Sequence, residues 1–255
     1  MTMPAEPKLL ILDYPGRRAD AHVSEMRLED HGFDCEYGLA APLPTALTTL
    51  GYAGQLHERL RPGRPAAVIS YCGAAPLAIA MARLLEGPDG DPVPIAFLNP
   101  SPTPPSDIVR EYAAAVRQVE GRAPRVERPP LLDIEGLLSA PELLVRRIEE
   151  DLRLRARLTL EAYGLAGTDT SGQTDTVVGM YVEWLIFHVA AHHAGQQAPS
   201  GDVLQVISQE QPADASWLGA PVQTVRVPCE LARLAAHEDA RTAVLDFLEG
   251  TGHEG

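Results

Sequence analysis

Cys35, Cys72 and Cys229 are the three cysteines of this chain, and only Cys72 has neighbours arranged for covalent chemistry. An odd number without metal-type spacing implies neither a disulfide framework nor a zinc site. Cys72 lies in Ile69-Ser70-Tyr71-Cys72-Gly73-Ala74-Ala75, where an apolar strand-like run turns directly into a helix-like one. A nucleophile elbow of the G-x-S-x-G type needs small residues two before and two after the nucleophile, because strand and helix approach closely there. Ser70 and Ala74 meet that steric demand. A helix N-terminus under the thiol also favours the attacking thiolate. The competing reading of Cys72 is a buried structural cysteine. Cys35 falls within a predicted strand and Cys229 follows Pro228 at a strand end, and neither has an elbow.

The elements that would position Cys72 follow from the hydrophobic pattern. Continuous apolar runs at Lys8–Tyr14, Ala66–Tyr71 and Pro94–Leu98 predict buried strands, with a shorter one at Phe33–Leu39. Helical spacing predicts helices over Ala19–His31, Thr45–Leu60 and Ala75–Leu85. Strands alternating with helices over the first hundred residues mean a doubly wound, mostly parallel α/β sheet, in which ligands sit outside the carboxyl ends of the strands. The turns after Tyr14, Tyr71 and Leu98 are then expected to converge on one crevice. From Pro100 onward the pattern changes to helices at Ile108–Val119, from a Ser139 cap to about Tyr163, and at Val177–His193. This block reads as an insertion. Strands resume at Val203–Ser208 and Val222–Val227, and a last helix covers Glu238–Leu248.

The 255 residues suit one sizeable domain with an insertion. A hydrophobic content of 45% with 22% charged residues is that of an ordinary globular protein. A net charge of −14, from 35 acids and 21 bases, is the wrong sign for tracking phosphates or anionic membranes, so neither nucleic acid nor membrane is an expected partner. No apolar run is long enough for a transmembrane helix, the start MTMPAEPK lacks signal-peptide features, and a cytoplasmic location is expected. No G-x-G-x-x-G follows the first strand, which argues against dinucleotide binding.

The segments LLILDYPG, EYGLAAP, AAVISYCGAAPLAIAMARLLE and PIAFLNP, in that order, resemble the thioesterase domains and free-standing thioesterases of polyketide and nonribosomal peptide assembly lines. That family has the α/β-hydrolase fold. The resemblance implies a hydrolase core over residues 1–100 and 201–255 and a helical lid over 101–200. Position by position, Cys72 falls at the family's serine nucleophile, a variant found in some members including the Dieckmann cyclases that release tetramic acids. Asn99 falls where an orienting aspartate usually stands, and its competing reading is a turn cap before Pro100. The backbone N–H groups of Gly73 and Gly16 fall at the oxyanion donors. The family's base belongs in the loop after the last strand, where this chain has Cys229, Glu230 and Leu231, with His237 a few residues later. His237 is the implied base; its other reading is a polar residue opening the last helix. His192 and His193 are alternative bases. Tyr14, Tyr71 and Trp184 are the implied substrate contacts, with Tyr181 and Phe187 spaced three residues either side of Trp184 for an acyl pocket or for packing.

The resemblance also implies an acyl or peptidyl carrier protein as partner, with the substrate carried on phosphopantetheine and no cofactor or metal bound by this chain. Arg146, Arg147, Arg153, Arg155 and Arg157 would attract an acidic carrier, although Glu149 four residues before Arg153 points to a self-paired solvated face. Thioester exchange onto a cysteine is nearly thermoneutral and keeps the acyl group activated, which suits transfer or cyclisation. Three activities are expected in order: Dieckmann cyclisation to a tetramic acid, hydrolytic editing or carrier-to-carrier transfer, and a catalytically degenerate binding protein.

Overall fold

The computed structural model describes residues 6–14, 21–40, 42–86, 90–121, 129–165, 171–195, 197–212 and 215–251. In chain order its regular elements are β1 (Lys8–Leu12), β2 (Asp34–Tyr37), α1 (Thr49–Leu60), β3 (Ala67–Tyr71), α2 (Ala75–Leu84), β4 (Ile95–Leu98), α3 (Pro105–Glu120), α4 (Ile134–Leu137), α5 (Pro141–Ala162), α6 (Ser171–His192), β5 (Val203–Ser208), β6 (Gln223–Val227) and α7 (Glu238–Thr251). They fall into two compact units. One is the sheet unit, Met1–Pro44, Thr49–Pro102 and Ala194–Gly255; the other is the helical unit, Thr45–Thr48 and Thr103–His193.

The sheet unit is built on six parallel strands in the order β2-β1-β3-β4-β5-β6. Parallel strands are covered on both faces, which is why β1, β3 and β4 read as unbroken apolar runs. Every residue of β3, β4 and β5 is buried. The edge strands β2 and β6 carry the polar exceptions, and Lys8 at the start of β1 pairs with Glu36 of β2 at 2.8 Å on the surface. On one face Leu9, Ile11, Ala67, Ile69, Ala96, Leu98, Leu204 and Val206 form a layer against Val244, Phe247 and Leu248 of α7. Each fully buried Leu, Ile or Val side chain among them contributes roughly 1.5–3 kcal/mol. The chain leaves β1 toward β2 and returns to β3 on the other side of β1, so the order reverses between β1 and β3. The crevice of a doubly wound sheet opens at such a reversal.

Two expectations are corrected, and one helix stands where none was expected. The part of Ala19–His31 that is described does not form one α-helix: it makes two short 3₁₀ turns, Val23–Met26 and Leu28–His31, separated by Arg27 at φ 51°. A 3₁₀ turn places residues three apart on one side, and Val23 and Met26 are buried together there. The long helix α5 has Ala140, not Ser139, at its N-cap, with no side-chain hydrogen bond; Pro141 opens it and brings no N–H to be capped. The short helix α4 has no counterpart in the hydrophobic pattern and is held by the Asp133 carboxylate, which accepts the Gly136 N–H at 3.0 Å.

The helical unit has a charged interior. Arg155 of α5, only 3% exposed, donates to Asp151 at 2.6 Å, to Glu120 of α3 at 2.6 Å and to the carbonyls of Pro129 and Pro130. Tyr112 of α3 donates to the same Asp151 carboxylate at 2.5 Å. Arg155 therefore belongs to the interior and not to a surface stripe. Arg153 pairs with Glu149 at 2.9 Å and Asp175 at 3.0 Å, and Arg147 with Glu150 at 3.2 Å, so much of the remaining basic face is self-paired.

Candidate active site

Cys72 sits at the carboxyl end of the central strand β3 in a left-handed backbone conformation, φ 50°. A non-glycine residue there costs roughly 1–3 kcal/mol, and such residues concentrate at functional turns. The chain passes from Tyr71 (φ −114°, extended) through a 3₁₀ turn at Cys72–Ala74 straight into α2. Ser70 and Ala74, the two small flanking residues, are each 1% exposed. The Cys72 carbonyl accepts the N–H of Ala75 and, at 3.1 Å, that of Ser101 from the turn after β4. The elbow is thus fastened to α2 and to the neighbouring strand end. Cys72 itself is half-buried, and Gly73, whose N–H was expected to serve the oxyanion, is buried behind it. Gly16, the other expected donor, lies outside the described residues.

The other two thiols are poorly suited to attack. Burial, with the Glu29 carboxylate beside it, pushes the Cys35 thiol up to about 12. Burial also raises Cys229, which is 9% exposed in the apolar layer.

Asn99 follows β4 at φ 46° and is 2% exposed. Leu98 pairs with Tyr71, so Asn99 lies alongside the elbow. Its amide bridges to β5: Oδ1 accepts the Ser208 N–H at 2.8 Å, and Nδ2 donates to the Ser208 hydroxyl at 3.2 Å. His237 lies where the turn Leu231–Ala236 meets α7, and its Nδ1 accepts the Asp239 N–H at 3.2 Å. Asn99 and His237 make no hydrogen bond to each other among the described residues. Leu231, in the turn after β6, packs in the same apolar layer as Cys72.

The remaining expected residues are placed as follows. Tyr14 is half-buried just beyond β1. Tyr71 is 4% exposed, with its side chain in the apolar layer. In the helical unit, Trp184 donates its indole N–H to Glu111 at 3.1 Å and stacks on Phe187 with ring centres 5.3 Å apart. The His192 ring contacts the Thr103 carbonyl at 3.0 Å, and burial lowers the pKa of His193. His188 is buried against Trp184 and Phe187 and is held down to about 4 by that burial, so it is neutral at physiological pH.

The hydrophobic pattern missed one pair, Asp13 and His22. Asp13 follows the apolar run of β1 and is 6% exposed. Its Oδ2 accepts the Val23 N–H at 2.7 Å and lies 3.5 Å from Nδ1 of His22. A lone carboxylate directly after a buried strand was the available signal.

No family model and no curated protein matches this chain. Solved structures do. A four-domain nonribosomal peptide synthetase bound to AMP and glycine superposes with a TM-score of 0.51 at 13% identity, over 98% of this chain and 20% of that one. The chain thus spans about a fifth of the synthetase. The NocB thioesterase domain in covalent complex with a fluorophosphonate nocardicin G analog gives 0.45 at 18% identity, over 98% of this chain and 96% of that one. An epoxide hydrolase of the α/β-hydrolase superfamily gives 0.45 at 14% identity, over 99% and 93%. At these identities the likeness concerns the fold, and the parallel sheet, its order and the strand-to-helix elbow together make this chain an α/β-hydrolase fold.

Proposed function

We propose that the chain is a cysteine-dependent acyl-transfer enzyme that takes an acyl or peptidyl group from a carrier-bound thioester and releases it by cyclisation. The observation that carries this reading is the backbone of Cys72: a left-handed non-glycine residue between a buried strand and a helix, flanked by buried small residues. In the first step Cys72 Sγ forms a bond to the acyl carbon, the bond to the phosphopantetheine sulfur breaks, and the thiol proton passes by way of a base to the departing sulfur. The Gly73 N–H would stabilise the oxyanion formed on the way. In the second step a base removes the proton between the carbonyls of a β-ketoacyl-aminoacyl chain. The carbanion closes a five-membered ring on the acyl carbon, and the Cys72 thiolate leaves and recovers the proton. For His237 and Asn99 to act as that base and its orienting partner, the His237 ring must give up the Asp239 N–H, and the Asn99 amide must accept a ring N–H in addition to its bonds with Ser208.

Incubation with a synthetic β-ketoacyl-aminoacyl thioester followed by mass spectrometry tests the reading. The expected result is a tetramic acid and an acyl adduct on Cys72. Rapid turnover of simple acyl thioesters to free acids would identify an editing thioesterase instead. A catalytically degenerate binding protein is the second reading, favoured by Leu231 in the apolar layer and by the Asn99–Ser208 bridge. Absence of any Cys72 adduct with every thioester selects it.

A further inference from the structure

We infer that His22, held by Asp13, is the base that serves Cys72; this rests on the reading of Cys72 as the acyl acceptor. Three independent features of the fold lead to it.

The first is the strand order. The strand order reverses between β1 and β3, and in a doubly wound sheet the loops leaving the carboxyl ends of two such strands flank the ligand crevice. β3 contributes Cys72 and β1 contributes Asp13. Leu12 pairs with Ser70, so Asp13 runs alongside Tyr71, the residue before Cys72, on a strand about 4.8 Å away.

The second is the Asp13–His22 pair. The buried carboxylate is oriented by the Val23 N–H at 2.7 Å, and it faces Nδ1 of His22 at 3.5 Å. For Nε2 to take a proton, Nδ1 must carry the ring hydrogen and direct it at this carboxylate, which would then fix the tautomer. The His22 side chain is 35% exposed, so a substrate thioester has access to it.

The third is where this segment is docked. Ala21 and Val23, on either side of His22, pack in the same apolar layer as Tyr71 and Cys72. The Ala21 N–H donates to the Ala232 carbonyl at 2.8 Å, which ties the segment to the turn Leu231–Ala236 that follows β6. The chain thus brings an imidazole from the β1 side to the turn after β6, which itself offers an apolar side chain there. Other charged groups on these two segments are Glu25, whose carboxylate accepts the His22 backbone N–H at 3.1 Å, Glu230 and Arg233, and Glu210 from the loop after β5 accepts the Leu231 N–H.

In the step proposed, the proton moves from Cys72 Sγ to His22 Nε2 as the sulfur attacks the acyl carbon. It then passes to the sulfur of the departing thiol, leaving His22 neutral and Cys72 acylated.

The test is the rate of Cys72 acylation by a synthetic acyl thioester, with a pH profile of Cys72 alkylation by iodoacetamide, in the full chain and in His22→Gln, Asp13→Asn and His237→Gln. His22 is partly exposed, so His22→Gln is expected to fold, with circular dichroism and thermal unfolding as the check. The expected result is a fall in acylation at neutral pH of about 100-fold in His22→Gln. The low-pH limb of the alkylation profile should be lost, and added imidazole should restore part of the rate. Asp13→Asn should show a smaller loss and a profile moved in the same direction. Acylation of Cys72 in His22→Gln at the unchanged rate and profile overturns the inference and leaves the acyl-acceptor reading standing, as does the full loss appearing in His237→Gln instead. No acylation of Cys72 in the unsubstituted chain defeats the acyl-acceptor reading, and the inference with it.

Discussion

The turns after β3 and β6 stand at the same edge of one sheet, and they are specified by different kinds of constraint. The turn after β3 is a path: Ser70 and Ala74 are small because strand and helix nearly touch, and Cys72 takes φ 50° because the chain reverses within one residue. The turn after β6, under the acyl-transfer reading, would have to supply only one side chain at one point in space. In this chain it carries Leu231 within the apolar layer and, further on, His237 engaged with the Asp239 N–H. A path tolerates few residues, whereas a position can be filled from any segment that passes nearby. Residues 21–26, docked through Ala21 on Ala232, are such a segment.

The sharpest way to break this comparison is to remove the thiol. Cys72→Ala is expected to abolish the acyl adduct and lower product formation by more than about a thousandfold; residual turnover near the original rate would mean that the elbow is structural only. Thiol selectivity comes next. With Cys35 pushed up to about 12 and Cys229 raised by burial, both are protonated at pH 7.5, so iodoacetamide should mark Cys35 on the order of a thousandfold more slowly than an ordinary cysteine and label Cys72 first. Cys35 should become reactive only as the pH approaches its own pKa, and peptide mapping across pH 7 to 11 reads this directly. Comparable labelling of Cys35 at neutral pH would contradict the environment described for it.

The steric account of the elbow is open to a stability measurement. Ala74→Val adds bulk at a position 1% exposed and should cost about 1–3 kcal/mol in urea unfolding, with Cys72 labelling reduced in parallel. An unchanged midpoint would show that strand and helix are not closely opposed there. The idea that a position can be supplied from different segments is sharpened by Leu231→His placed in the His22→Gln background. A recovery of about tenfold in acylation, equivalent to roughly 1.4 kcal/mol, is expected. The smallest effect belongs to His237→Ala, which removes the ring that receives the Asp239 N–H and should cost about 1 kcal/mol in stability. A loss of acyl transfer far beyond that would return the base to the turn after β6.

Much of the sheet unit was legible because its signals are local. LLIL, AVIS and IAFL are unbroken apolar runs that suit strands covered on both faces, and the helix α2 is apolar on all sides from Ala75 to Ala82 because it is buried on all sides there. The elbow was legible for the same reason, since its demand for small residues falls on positions two away from Cys72. Residues 21–31 were misread because Val23, Met26 and Leu28 fit a helical spacing as well as they fit two 3₁₀ turns. The break at Arg27, φ 51°, has no signature in an arginine. Arg155 was grouped with a surface stripe because its partners Glu120 and Tyr112 stand on another helix, and only Asp151, four residues before it, is close in sequence. Breaking such a buried pair leaves an uncompensated charge, which is why these side chains hold their places in the interior.

The sequence by itself determined the parallel α/β architecture, the change to helices after Pro100 and the elbow at Cys72. Each of these depends on residues within a few positions of one another, where chain stiffness and burial act directly. Only the tertiary structure decided which polar groups meet across the sheet. Ser208 lies 109 residues from Asn99 and satisfies its amide, while Asp13 stands beside His22, a residue that the hydrophobic pattern had placed in a helix. Such pairings depend on strand order and on where loops dock, and those are set by packing the whole sheet unit rather than by any one segment.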